Sequence, residues 1–236
     1  MSRSLAAFAL VASLSAVASA DRLPTKYVLQ TPTGLEPTTV SSNVIFLDRC
    51  TAGCPITYAG NDDSRTDKSS IGGGNLSAFS CGDAAWTSVV SCVKDVFRNY
   101  NVVITTTDPG SADHLEIKIA GTYSQLGIQP AGGIAPFKCQ AYQTNALVFD
   151  FANVWQGNVE DICSTAAQEI AHTWSLDHST DKTDPMTYYP YTSCSQPPCR
   201  RYYDNVNQQC GSDCVQGQSP FGQTCTGSSG NPCTCQ

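Results

Sequence analysis

Gln168-Glu169-Ile170-Ala171-His172-Thr173-Trp174-Ser175-Leu176-Asp177-His178 is the stretch on which the fold of this chain turns. It continues a segment from Ile162 that is rich in Ala and free of Pro and Gly. Asn158 precedes it as an N-cap, and Glu160 and Asp161 suit the positive end of a helix dipole, so a helix is predicted from near Asn158 through His172. Residues four apart in a helix project from one face, so Gln168 and His172 can grip a single metal ion, with Glu169 beside them. A turn near Ser175 lets His178 fold back as a further ligand.

Working outward, Asp184-Pro185-Met186-Thr187-Tyr188 holds one of only two methionines, the other being Met1. Upstream, Val44-Ile45-Phe46-Leu47 predicts a strand, and residues 50 to 80, with Gly72-Gly73-Gly74 and many Ser and Asp, predict a long loop tied by cysteines. Trp86, Val89, Val90, Val93, Phe97 and Tyr100 recur at spacings of three and four. They predict an amphipathic helix of about five turns, with Trp86, Phe97 and Tyr100 in the core. Val102 to Thr107 reads as a strand ended by Asp108-Pro109-Gly110. Leu115, Ile117 and Ile119 alternate with His114, Glu116 and Lys118, predicting a strand with one wet face that carries His114 as a solvated residue rather than a ligand. A loop containing Gly132-Gly133-Ile134-Ala135-Pro136 leads to a last strand, Ala146-Leu147-Val148-Phe149.

Together these segments resemble the metzincin clan of zinc endopeptidases. Gln168 to His178 is similar to the signature H-E-x-x-H-x-x-G-x-x-H, with Gln168 in the place of the first histidine and Ser175 in that of the glycine. Asp184 to Tyr188 resembles the Met-turn, and the order of strand, helix, three strands and helix resembles the family's upper subdomain. Gly132 to Pro136 is similar to the loop before its substrate-binding edge strand. The likeness covers roughly residues 43 to 192, with a sequence-specific part of about 20 residues.

The resemblance implies an α+β fold, a metzincin-like domain with a twisted, mainly parallel sheet, two long helices, a Met-turn and a disulfide-rich C-terminal tail. It implies a Zn2+ ion held by His172, His178 and Gln168, with Glu169 as general base toward a zinc-activated water and Tyr188 helping to hold the oxyanion. An extended peptide or protein substrate would lie along an edge strand. Two positions depart from the pattern. The amide oxygen of Gln168 is a weaker zinc partner than imidazole, and Ser175 stands at a turn that favours positive φ, which costs a non-glycine residue about 1 kcal/mol. Two principal readings therefore stay open: a secreted zinc-dependent endopeptidase, and a catalytically inactive pseudoprotease that binds peptides or proteins. In a third, the tail is the working part and the domain its scaffold.

The chain's bulk properties frame these readings. Arg3, the apolar run Leu5 to Val17 and Ala18-Ser19-Ala20 have the layout of a cleavable export signal over residues 1–20. Residues 21–42, rich in Thr and Pro, read as a leader or short pro-segment, 43–192 as the metzincin-like catalytic domain and 193–236 as a cysteine-rich tail. Thirteen cysteines behind an export signal predict disulfides, with at least one sulfur left over within the chain. The net charge of −7 and the lack of any Lys or Arg run speak against nucleic-acid and anionic-membrane partners. No segment after the signal approaches the roughly 20 apolar residues of a membrane span. Asn75-Leu76-Ser77 is a glycosylation sequon. The terminal Cys233-Thr234-Cys235-Gln236 matches a prenylation pattern that an exported chain would not meet in the cytosol.

Overall fold

The computed structural model describes residues 25–29, 42–138, 142–179, 183–187, 201–203, 225–226 and 234–235. The signal-like residues 1–20, Tyr188 and most of the cysteine-rich tail lie outside the described residues. In chain order the strands and helices are β1 (Thr25–Leu29), β2 (Val44–Asp48), β3 (Cys54–Tyr58), β4 (Lys68–Ser69), β5 (Gly74–Leu76), α1 (Gly82–Val96), β6 (Val103–Thr105), β7 (Leu115–Ile119), β8 (Gly133–Phe137), β9 (Leu147–Asp150), α2 (Val159–His172), β10 (Cys225–Thr226) and β11 (Thr234–Cys235). The fold is α+β. Its main sheet is mixed, in the order β1-β8-β9-β7-β2-β6, with every pairing parallel except the antiparallel β8–β9. A smaller sheet runs β4-β3-β5.

Three layers follow from which faces are apolar. Val89 and Val93 of α1 and Ile162, Ala166 and Ile170 of α2 pack with Ile45, Leu47, Ile117 and Val148 of the sheet. On the opposite face, Leu147 and Phe149 of β9 and Ile134 of β8 join Ile56 and Leu76 of the small sheet. The disulfide Cys92–Cys163 ties α1 to α2, and Cys50–Cys54 closes a short loop before β3. A link across 71 positions removes chain entropy from the unfolded state worth about 4 kcal/mol. Cys81 is free among the described residues. Among these residues no helix is long and apolar enough to cross a membrane.

The predicted order of strand, helix, strand, strand, strand and helix is present, with differences that have physical causes. Residues 50 to 80 are not a plain loop. They contain the small sheet, which covers a face of the main sheet expected to be wet, so all five residues of β7 are buried. His114, expected in solvent, is 1% exposed; its Nδ1 donates to the Ala112 carbonyl at 2.8 Å and its ring meets Phe46 edge-on. Lys118 is buried with its ammonium bonded to Asp48, Asp67 and Glu116 at 2.9, 2.6 and 2.7 Å. Period-two alternation gave the right element, but burial of its second face is a tertiary event. Gly133 to Pro136, expected in a loop, belongs to β8. Trp86 and Phe97 are core residues as expected, whereas Tyr100 is 45% exposed, because α1 ends at Val96 and Tyr100 falls past the helical stripe.

Candidate metal centre

Helix α2 begins as its sequence dictates, with the Asn158 side chain accepting from the Asp161 amide. Its far end places the site. Ser175 N–H donates to the His172 carbonyl and Leu176 N–H to the Ala171 carbonyl, at 3.1 and 3.2 Å, with Ser175 at φ 67°. This is a Schellman closure, in which a left-handed residue reverses the chain over the last turn. Glycine is the usual occupant. Ser175 compensates through its hydroxyl, which donates to the Lys138 carbonyl at 2.7 Å, a bond worth about 1 kcal/mol against a similar backbone cost.

The reversal has two consequences for His172 and His178. It brings the Leu176 carbonyl to 2.8 Å from His172 Nδ1. A carbonyl only accepts, so Nδ1 carries the hydrogen and Nε2 of the neutral ring presents a lone pair. It also carries His178 back, so that the two Nε2 atoms lie 3.2 Å apart with the rings edge to face. Two nitrogens bound to one zinc ion at 2.0–2.1 Å and a tetrahedral angle are about 3.3–3.4 Å apart. The observed separation fits that requirement.

Gln168, Glu169, His172 and His178 are each 0% exposed. Strand β8 borders them at both ends. Phe137 meets the His172 ring edge-on with centroids 5.7 Å apart. At Gly133, an added Cβ would fall 2.6 Å from Glu169 Oε1, 2.6 Å from Thr165 Cγ2 and 2.8 Å from Glu169 Cγ. The carboxylate therefore occupies space that a side chain on β8 would take. Neither contact was foreseen, although a glycine inside a strand is a signal of close backbone approach.

Asp177 Oδ1 accepts the His178 amide at 2.7 Å, while its distance to His178 Nδ1, 3.8 Å, is too long for a hydrogen bond. Beyond His178, the Ser179 amide donates to the Met186 carbonyl at 2.9 Å, and Ser179 bridges to Thr187. Met186 is 2% exposed, its own amide donating to Asp184 Oδ1 at 2.7 Å. The turn holding Met186 is thus fastened to the residue after His178. Tyr188 lies outside the described residues.

The described residues hold one other grouping of acidic and cysteine side chains that could face a cation. Among the described residues, Asp48, Cys50 and Cys54 place ligand atoms within 4.8 Å of one another. The two sulfurs are joined to each other and the Lys118 ammonium already sits on Asp48, so this group has no thiolate to give. No family model, curated protein or solved structure matches the chain.

Proposed function

We propose that the chain is an exported zinc-dependent endopeptidase of the metzincin kind, with His172, His178 and Gln168 holding the metal. The observation that carries this reading is the pair of Nε2 atoms 3.2 Å apart, one of them held as a lone-pair donor by the Leu176 carbonyl. Imidazole is a preferred zinc ligand, and an amide oxygen completes the set as a weaker third. A bound zinc ion supplies Lewis acidity toward a peptide carbonyl and acidifies a water molecule.

The remaining steps belong to the chain. Glu169, on the same helix and enclosed by β8, accepts a proton from the attacking water and delivers it to the departing amine. The Ser175 turn fixes the orientation of His172, and Phe137 edge-on to its ring keeps the surroundings apolar, which strengthens every electrostatic contact inside. Two disulfides among the described residues suit an oxidising compartment outside the cytosol.

The neutral amide at Gln168 favours the second reading, a peptide- or protein-binding module without catalytic metal. Two variants discriminate between them. Glu169→Ala is expected to keep zinc and lose peptide hydrolysis by about 10²-fold or more, and Gln168→His to bind zinc more tightly and hydrolyse faster. Retained hydrolysis in the first removes Glu169 from its role as general base, and no change of either property in the second contradicts the endopeptidase.

A further inference from the structure

The two halves of the candidate centre come from different pieces of chain. Helix α2 carries Gln168, Glu169 and His172, whereas His178 lies on the returning segment with the Met186 turn. The Ser175 reversal joins the halves on one side. On the other side they are joined by Tyr202 and Tyr203, in the stretch read from the sequence as the cysteine-rich tail.

Tyr203 is held by ring packing and by one bond. Its ring meets Phe97 and Tyr100 with centroids 5.5 and 5.7 Å apart, and Phe97 in turn meets Trp174, the residue before the Ser175 turn. Its hydroxyl donates to the Ala167 carbonyl at 2.7 Å. Ala167 immediately precedes Gln168 in α2, and a carbonyl has a second lone pair to offer beside its helical bond. From Tyr203 a run of hydrogen bonds leads to His178. The neighbouring Tyr202 amide donates to the Thr183 carbonyl at 3.1 Å. Next to Thr183, Asp184 is buried and its Oδ1 accepts the Met186 amide at 2.7 Å. The Met186 carbonyl accepts the Ser179 amide at 2.9 Å, and Ser179 follows His178. Burial, and after it the Asp184 charge, raises the Tyr100 and Tyr203 phenols above their ordinary value, in keeping with a carboxylate near the same aromatic cluster.

We propose that Tyr203 is a positioning residue of the candidate metal centre, fixing His178 relative to α2 through Thr183, Asp184 and Met186. The inference rests on the endopeptidase reading for its consequence, zinc affinity, and not for the tie itself. Ligand distances in a zinc site are held to within about 0.2 Å. His172 is fixed within α2, so play in the returning segment appears directly as spread in the Nε2–Nε2 distance, here 3.2 Å. Groups that orient ligands from behind are worth about 10- to 100-fold in metal affinity. Tyr203 stands at the far end of such a chain, so the lower end of that range is expected.

Tyr203→Phe in the full chain removes the hydroxyl and keeps the ring; Tyr203→Ala removes both. Tyr202→Phe is the control, because its hydroxyl donates to Asp95 Oδ2 at 2.8 Å, on α1. The same kind of bond is then lost next door without touching α2. The readouts are hydrogen exchange at the Met186 and Ser179 amides in zinc-free protein, and zinc titration against a competing chelator.

Tyr203→Phe is expected to quicken exchange at both amides about fivefold and to weaken zinc binding about tenfold, with larger changes in Tyr203→Ala and none in Tyr202→Phe. Unchanged exchange in both Tyr203 variants, or an equal effect of Tyr202→Phe, would overturn the proposal. Quickened exchange with zinc affinity intact would make Tyr203 a structural anchor only and overturn its positioning role. The expected exchange pattern in a protein that binds no zinc would uphold the tie and contradict the endopeptidase instead.

Discussion

Replacing Gly133 by alanine tests whether β8 sets the place of Glu169. Carbon atoms pack best at about 3.5–4.0 Å, and the new Cβ would stand 2.6 Å from Thr165 Cγ2 and 2.8 Å from Glu169 Cγ. Close to 1 Å must therefore open between strand and helix. The Glu169 oxygen can swing aside, but Thr165 is β-branched and stiff in a helix, so relief comes by moving the Glu169 stem or α2. Overpacking of this size costs about 1–3 kcal/mol. Losing glycine's freedom in the unfolded chain returns about 0.4–1 kcal/mol, because Gly133 has no positive φ that alanine would resist. Strain wins, and Tm is expected to fall by on the order of 5 °C. Moving a general base by about 1 Å costs about 10²-fold in kcat, while zinc binding through His172 and His178 should persist. Calorimetry, peptide hydrolysis and zinc titration of one preparation give all three values. Unchanged Tm and kcat would refute the argument that β8 positions the carboxylate.

Two further tests address the scaffold. Burial lifts the Glu116 carboxyl from 4.5 to about 8, outweighing the pull of Lys118. The folded state then holds this proton more tightly than the unfolded chain, so the associated stability is present below pH 4.5 and lost as pH rises toward 8. Glu116→Gln should flatten that fall by a few kcal/mol in urea melts at pH 5 and pH 8; identical slopes in variant and wild type would contradict it. Replacing Cys92 and Cys163 together by serine should lower stability by about 4 kcal/mol, read from the urea midpoint under non-reducing conditions, and a loss under about 1 kcal/mol would mean that the helices hold each other without the link.

What could be read from the residues was local. The Asn158 cap and the Ala-rich body of α2 are written in neighbours a few positions apart and are found where the sequence puts them, while the left-handed turn at Ser175 was expected from the glycine of the resembling signature. The convergence of His172 and His178 followed from the same turn. Contacts made by distant segments were not legible. The burial of His114 and Lys118 depends on a small sheet formed by residues 54–76, which carry little regular periodicity. The pairing of β1 with β8 joins segments about a hundred residues apart, and residues 21–42 display no alternation that announces a strand. Pro136 likewise hides β8, because a proline argues against a strand unless the side on which its N–H is missing is known.

The most direct test of the account is the zinc content of the purified mature protein after dialysis against trace zinc, measured beside His172→Ala. About one zinc per chain, absent from the variant, is the predicted result, since two imidazoles fixed 3.2 Å apart leave room for a single ion. Wild-type protein without zinc, or a variant that retains it, would contradict the assignment of His172 and His178 as the metal-holding pair.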